Sequence, residues 1–224
     1  MRLSRALNTK QILIRYSGTL FSKSTTMNSA TEKIAENLRI VQERIDSAAS
    51  SIGRDAKSIT LVAVSKTKGA EDIMALYDAG HRHFGENYFQ ELLEKASSLP
   101  NDIHWHFIGH LQSSKSAKLI RDIPNLEIVE TVDTEKLCLK LNKACLEASR
   151  DILDVYIQVH TSDEDTKSGV APSEVLNLAT FIGSNCSRLR IKGLMTSKYI
   201  LLHEFYCRLF GIIANSYHIM GMYI

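Results

Sequence analysis

Apolar positions along this chain alternate between two spacings. Ile34, Leu38, Val41, Ile45 and Ile52 recur on one face of a helix that Gly53 can end. The run Ile59-Thr60-Leu61-Val62-Ala63-Val64-Ser65-Lys66 then reads as a short buried strand. The same pairing repeats. A helix over 71–79 points Ile73, Leu76 and Tyr77 inward and stops at Gly80, and a strand over 83–85 leads into a helix over 88–97. Strand 104–108 precedes helix 115–121, strand 126–132 precedes helix 134–148, strand 153–160 precedes helix 173–182, and strand 189–195 follows.

Six strands separated by helices predict an α/β fold with a parallel sheet, because parallel neighbours need a crossover connection. The strands are short and apolar, as in sheets covered on both faces. An open doubly wound sheet and a (β/α)8 TIM-type barrel compete. No glycine-rich phosphate loop follows the first strand, which weakens the dinucleotide-binding version of the open sheet. The barrel needs eight strands, and six are recognisable before the pattern fails after Thr196.

Composition narrows the picture. The chain has 224 residues, 44% of them hydrophobic, enough for one sizeable core. Charged residues make up 23% and the net charge is +2, with no basic stripe interleaved with aromatics, so no nucleic-acid partner is expected. Cys138, Cys145, Cys186 and Cys207 lack metal-ligand spacing and read as reduced structural thiols. His81 and His83, and His104 and His106, pair on strand faces, but no acidic or cysteine ligand pattern accompanies them, so no metal is expected.

Three segments follow. Residues 1–30 are basic through Arg2, Arg5, Lys10, Arg15 and Lys23, rich in Ser and Thr, and free of acids, the composition of a mitochondrial transit peptide or a disordered tail. Residues 31–196 carry the strand–helix repeat. Residues 197–224 form an atypical apolar tail, whose uncharged stretch 209–224 is shorter than the ~20 residues that span a bilayer. An altered terminus is expected there, with a helix covering part of the sheet edge. A monomer in the cytoplasm or mitochondrion is expected, without a membrane anchor.

Chemistry in either architecture collects at the C-terminal ends of the strands. Those ends read Ser65-Lys66-Thr67-Lys68, Gly85-Glu86-Asn87-Tyr88, Gly109-His110-Leu111-Gln112, His160-Thr161-Ser162 and Leu194-Met195-Thr196. Lys66 stands out. A desolvated lysine loses its proton more easily, and a neutral amine attacks aldehydes; a solvated strand-end lysine is the plainer reading. If Lys66 faces inward, so do Val64 and Val62, while Ser65 and Ala63 face the helices. Asn87 can hold a ring oxygen or position an imine on the lysine, or it can simply cap the following helix.

Five motifs in order, Val64-Ser65-Lys66-Thr67-Lys68, Phe84-Gly85-Glu86-Asn87-Tyr88, Trp105-His106-Phe107-Ile108-Gly109-His110-Leu111-Gln112, Lys167-Ser168-Gly169 and Gly193-Leu194-Met195-Thr196, resemble the pyridoxal phosphate homeostasis protein family. Members of that family are similar to the barrel domain of alanine racemase without its second domain. The resemblance covers about residues 31–196. It implies a (β/α) barrel that binds pyridoxal 5′-phosphate (PLP) as an aldimine on Lys66, with Asn87 and Met195 lining the same mouth. It also implies a non-catalytic role in intracellular PLP homeostasis. A racemase- or decarboxylase-type enzyme is the remoter alternative, since PLP catalysis also needs a proton donor and acceptor and a wall against water. The family's phosphate segment on strand seven, resembling Ser-Met-Gly-Met-Ser, and its Arg-(Ile or Val)-Gly turn on strand eight have no counterpart here, and His160 stands where asparagine is usual. Met220-Gly221-Met222 echoes the first by chance. A defective isoform without a stable PLP site is therefore a competing expectation.

Overall fold

The computed structural model describes residues 29–161, 168–196 and 221–222. It opens with α1 (Ser29–Ser51), which begins just before the expected boundary at residue 31 and ends ahead of Gly53 at φ +68°. Two short strands follow, β1 (Thr60–Leu61) and β2 (Ala63–Val64). Then come α2 (Ala70–Asp78), β3 (His83–Glu86), α3 (Phe89–Ser98), β4 (His104–Phe107) and α4 (Ser116–Asp122). The run closes with β5 (Leu126–Val132), α5 (Glu135–Glu147), β6 (Leu153–Gln158), α6 (Val175–Asn185), β7 (Leu189–Met195) and β8 (Gly221–Met222).

The sheet order decides between the two architectures. Strands β2-β3-β4-β5-β6-β7 lie side by side in chain order, all parallel. A doubly wound sheet reverses direction at a switch point; a barrel adds each strand beside the last. The winding is that of a barrel, although the six strands do not close. The expected single strand over 59–66 is instead divided at Val62. Its first half pairs with β8 (Thr60 with Gly221, Leu61 with Met222) and its second with β3. The echo at Met220-Gly221-Met222 thus partly falls in a strand, at the edge where a barrel would close. The 1–28 segment, most of the 197–224 tail, the helix expected there, and Cys207 lie outside the described residues.

One face of the sheet packs under the helices. Phe84, Trp105, Phe107, Val129, Leu153 and Ile157 meet Leu92, Leu119, Leu137, Leu141 and Ile182 in a continuous core. The side chains between them on the strands project to the other face, which is polar in its middle: His83, His106, Glu130, Asp154 and Tyr156. Cys138, Cys145 and Cys186 are buried free thiols, and burial pushes the Cys138 thiol up to about 12, so these are packing groups rather than nucleophiles. Among the described residues no helix is long and apolar enough to cross a membrane.

Leu119 is fully buried on α4, whereas Leu146 on α5 is about half exposed. Leu119→Ala should lower unfolding free energy by about 2–5 kcal/mol in urea titration, and Leu146→Ala by less than about 0.5 kcal/mol.

Candidate functional site

The strand tips named from the sequence do gather at one end of the sheet. Val64 pairs with Gly85, and Ser65 N–H donates to the Gly85 carbonyl at 2.9 Å, so the residues after β2 and β3 leave the sheet together. Lys66 and Asn87 therefore follow neighbouring strands. Met195 ends β7, the outer strand on the far side of the sheet, and is buried. Ser168 Oγ and His110 Nδ1 meet at 3.3 Å, and Thr161 and Thr196 share a hydrogen bond of 2.7 Å. Thr131 donates to the Gly109 carbonyl at 2.6 Å. Gly109 is required here because a Cβ would stand 1.9 Å from the Asn87 carbonyl oxygen.

Alternation along β2 holds. Ala63 packs against the helix-side core and Ser65 reaches Glu86 beneath α3, which leaves Val62 and Val64 on the other face, with Lys66 beyond the strand in a turn. Burial does not follow. Lys66 is exposed, so the desolvated lysine expected from the apolar run is corrected to a solvent-facing one. The physical reason is local: β2 ends at Val64, and Lys68 N–H closes a turn onto the Ser65 carbonyl at 3.0 Å. Among the described residues Lys66 has no hydrogen-bond or ion-pair partner, so its amine is chemically available. Asn87 is half-buried and does not cap α3; the N-cap position belongs to Tyr88, with no side-chain cap bond.

Directly behind Lys66 lies a cluster the sequence did not reveal. Lys95 Nζ donates to the Ser65 carbonyl (2.7 Å), Glu86 Oε1 (2.7 Å) and Glu91 Oε1 (2.6 Å). Ser65 Oγ also donates to Glu86 Oε1 (2.6 Å), and Thr67 N–H donates to Glu91 Oε1 (2.6 Å). Glu86 is fully buried, and burial raises its carboxyl against the opposing pull of Lys95 and Ser65; its second oxygen has no partner among the described residues. The bond from Lys95 holds the Glu91 carboxyl below its usual range.

A second chain of polar groups crosses the inner face lower down. His83 Nδ1 lies 3.0 Å from His106 Nε2, and His106 Nδ1 lies 2.7 Å from Glu130. The His83 ring stacks on His104 at 4.7 Å. Burial and then the neighbouring imidazoles hold His83 down to about 4, while burial and Glu130 push Tyr156 up to about 12. Among the described residues, no group of three His, Cys, Asp or Glu side chains is arranged to hold a metal ion. Each histidine was visible in the sequence as a member of the pairs His81/His83 and His104/His106; the meeting of His83 with His106 across strands was not. Nor was Glu130, because it joins them only across the register of the next strand.

Comparison with known proteins gives this arrangement a class. The profile of the alanine racemase N-terminal domain matches residues 30–198, so the protein is an alanine-racemase-type (β/α) barrel. A protein of Schizosaccharomyces pombe named pyridoxal phosphate homeostasis protein is 51% identical over 142 residues, covering 63% of this chain and 59% of its own. One of that name from Pasteurella multocida is 41% identical over 165 residues, covering 72% and 69%. The solved structure of PipY of Synechococcus elongatus, described as having PLP bound, superposes with a TM-score of 0.60 at 28% identity, covering 80% of this chain and 82% of that one. Within that class, the chain belongs to the pyridoxal phosphate homeostasis protein family. It spans about 60% of the length of the first of these curated relatives.

Two outcomes follow from this geometry. Gly109→Ala should shift the Asn87 segment and lower the melting midpoint, because backbone cannot yield as a side-chain tip can. His83 binds a proton less readily folded than unfolded, so between its ordinary 6.5 and about 4 the unfolded chain holds more protons. Stability should therefore fall as pH drops from 7 towards 4, and His83→Asn should make that slope in the melting midpoint shallower.

Proposed function

We propose that this chain binds pyridoxal 5′-phosphate through Lys66 and acts as a non-catalytic carrier of that aldehyde in PLP homeostasis. The observation that carries the reading is Lys66 itself. It presents a primary amine with no partner among the described residues at the C-terminal end of a barrel-type sheet, after the strand that neighbours the one before Asn87, in a chain whose relatives bear the homeostasis name. The donor set fits the aldehyde end of PLP. Lys66 would hold the cofactor by condensing its amine with the aldehyde, with loss of one water. Asn87 would offer an amide for a ring oxygen, and the family resemblance assigns Met195, which ends β7 at the far side of the sheet, to the same mouth. Gly85 keeps room on the inner face, since a Cβ there would press on Ile108 and Val62 at 3.0 and 3.1 Å. The PipY structure with PLP bound supports the cofactor, and the homeostasis names support a role other than turnover.

Purified protein titrated with PLP should develop the absorption of a lysine imine, and Lys66→Ala should lose it. PLP at a hundredfold excess over Kd should stabilise the wild-type fold by about 2.7 kcal/mol. Equal binding by wild type and Lys66→Ala would refute the anchor. Exchange of the α-proton of any amino acid in the presence of PLP would refute the non-catalytic role.

A further inference from the structure

We infer that Lys95 and Glu91 are positioning residues for Lys66, holding the two peptide groups on either side of it; this rests on the reading of Lys66 as the PLP anchor. The carbonyl of Ser65 belongs to the peptide before Lys66, and it accepts from Lys95 Nζ at 2.7 Å. The amide of Thr67 belongs to the peptide after Lys66, and it donates to Glu91 Oε1 at 2.6 Å. The same Glu91 oxygen accepts from Lys95 at 2.6 Å, so one ion pair ties both flanking peptides to α3. Glu86 completes the set from β3 by accepting from both Lys95 and Ser65. All three ammonium protons of Lys95 are thereby used.

Thr67 supplies an independent sign that the tip is held in place. Its φ is +63°, in the left-handed region that a β-branched residue rarely enters. Such a conformation persists where surrounding contacts over-determine it. Lys95 is also buried, although it is spaced four residues from Glu91 like an ordinary surface helix pair. If the Lys95–Glu91 pair merely fastened α3 to the sheet, its bonds to the Ser65 carbonyl and the Thr67 amide would have no reason to fall on the two peptides flanking one exposed lysine. Fixing those peptides fixes the direction in which the Lys66 side chain leaves the backbone, and geometry of this kind governs attack on a carbonyl carbon.

The test uses the full chain and three variants. Glu91→Ala removes the acceptor of the Thr67 amide but keeps the Lys95–Glu86 pair. Glu91→Gln keeps an oxygen acceptor and serves as the rescue. Lys95→Met keeps the volume and removes the charge. Two readouts are taken beside the melting curve. One is hydrogen exchange at the Thr67 amide without PLP. The other is the ratio of borohydride-trapped PLP on Lys66 to that on the exposed Lys68, read by mass spectrometry. Glu91→Ala should melt within a few degrees of wild type, exchange the Thr67 amide about tenfold faster and lower the Lys66-to-Lys68 ratio severalfold. Glu91→Gln should recover both readouts in large part, and Lys95→Met should match Glu91→Ala wherever it folds. Wild-type protection and wild-type ratio in folded Glu91→Ala would overturn the inference. If wild type itself traps no PLP on Lys66, the anchor reading fails, and Thr67 exchange alone then decides whether the tip is held by Glu91.

Discussion

A parallel strand cannot reach its neighbour through a hairpin, and this single constraint organises the molecule. Each return to the start of the next strand passes through a helix, and each helix needs an apolar stripe to lie on. The stripe is one side of the alternation: Phe84, Trp105, Phe107, Val155 and Ile157 face the helices, and the residues between them face away. Because all six strands run the same way, their C-terminal ends arrive at one rim. The meetings of Thr161 with Thr196 and of Ser168 with His110 are consequences of that parallel winding, between residues distant in the chain.

The alternation also explains what could be read without coordinates. Strands over 126–132 and 189–195 were expected at the limits the structure gives them, since both carry closely spaced apolar residues interrupted by polar ones, and Asn125 and Asp133 bracket the first. The winding order needed three-dimensional pairing, and the division at Val62 did too. Ile59 to Ser65 looks continuous until two different neighbours claim its halves. The exposure of Lys66 had the same cause, since burial of a strand tip depends on what stands alongside it. Asn87 sits one place ahead of the helix cap it was fit to fill, a shift too small for sequence pattern to resolve.

Lys95 was hidden for a different reason. Glu91 and Lys95 at helical spacing read as a solvated pair worth a few tenths of a kcal/mol. Glu86, from another element, draws the ammonium under the sheet and changes the magnitude involved. Breaking a buried pair by removing one partner costs about 3–5 kcal/mol, because the other charge is left without compensation. The His83–His106–Glu130 chain shows the same limit of sequence reading. Its two histidines stand out in the sequence only beside His81 and His104, and strand register supplies both their meeting and Glu130.

The division at Val62 has a bearing on portability. The half-strand before it hydrogen-bonds towards β8, while among the described residues the groups from other elements that fasten the lysine tip come from the other side: the Gly85 carbonyl, Glu86, Glu91 and Lys95. Among the described residues the tip is thus tied to β3 and α3 as one structural module. Grafting a reactive lysine of this geometry onto another parallel sheet would mean transplanting residues 83–95 along with the Ser-Lys-Thr segment.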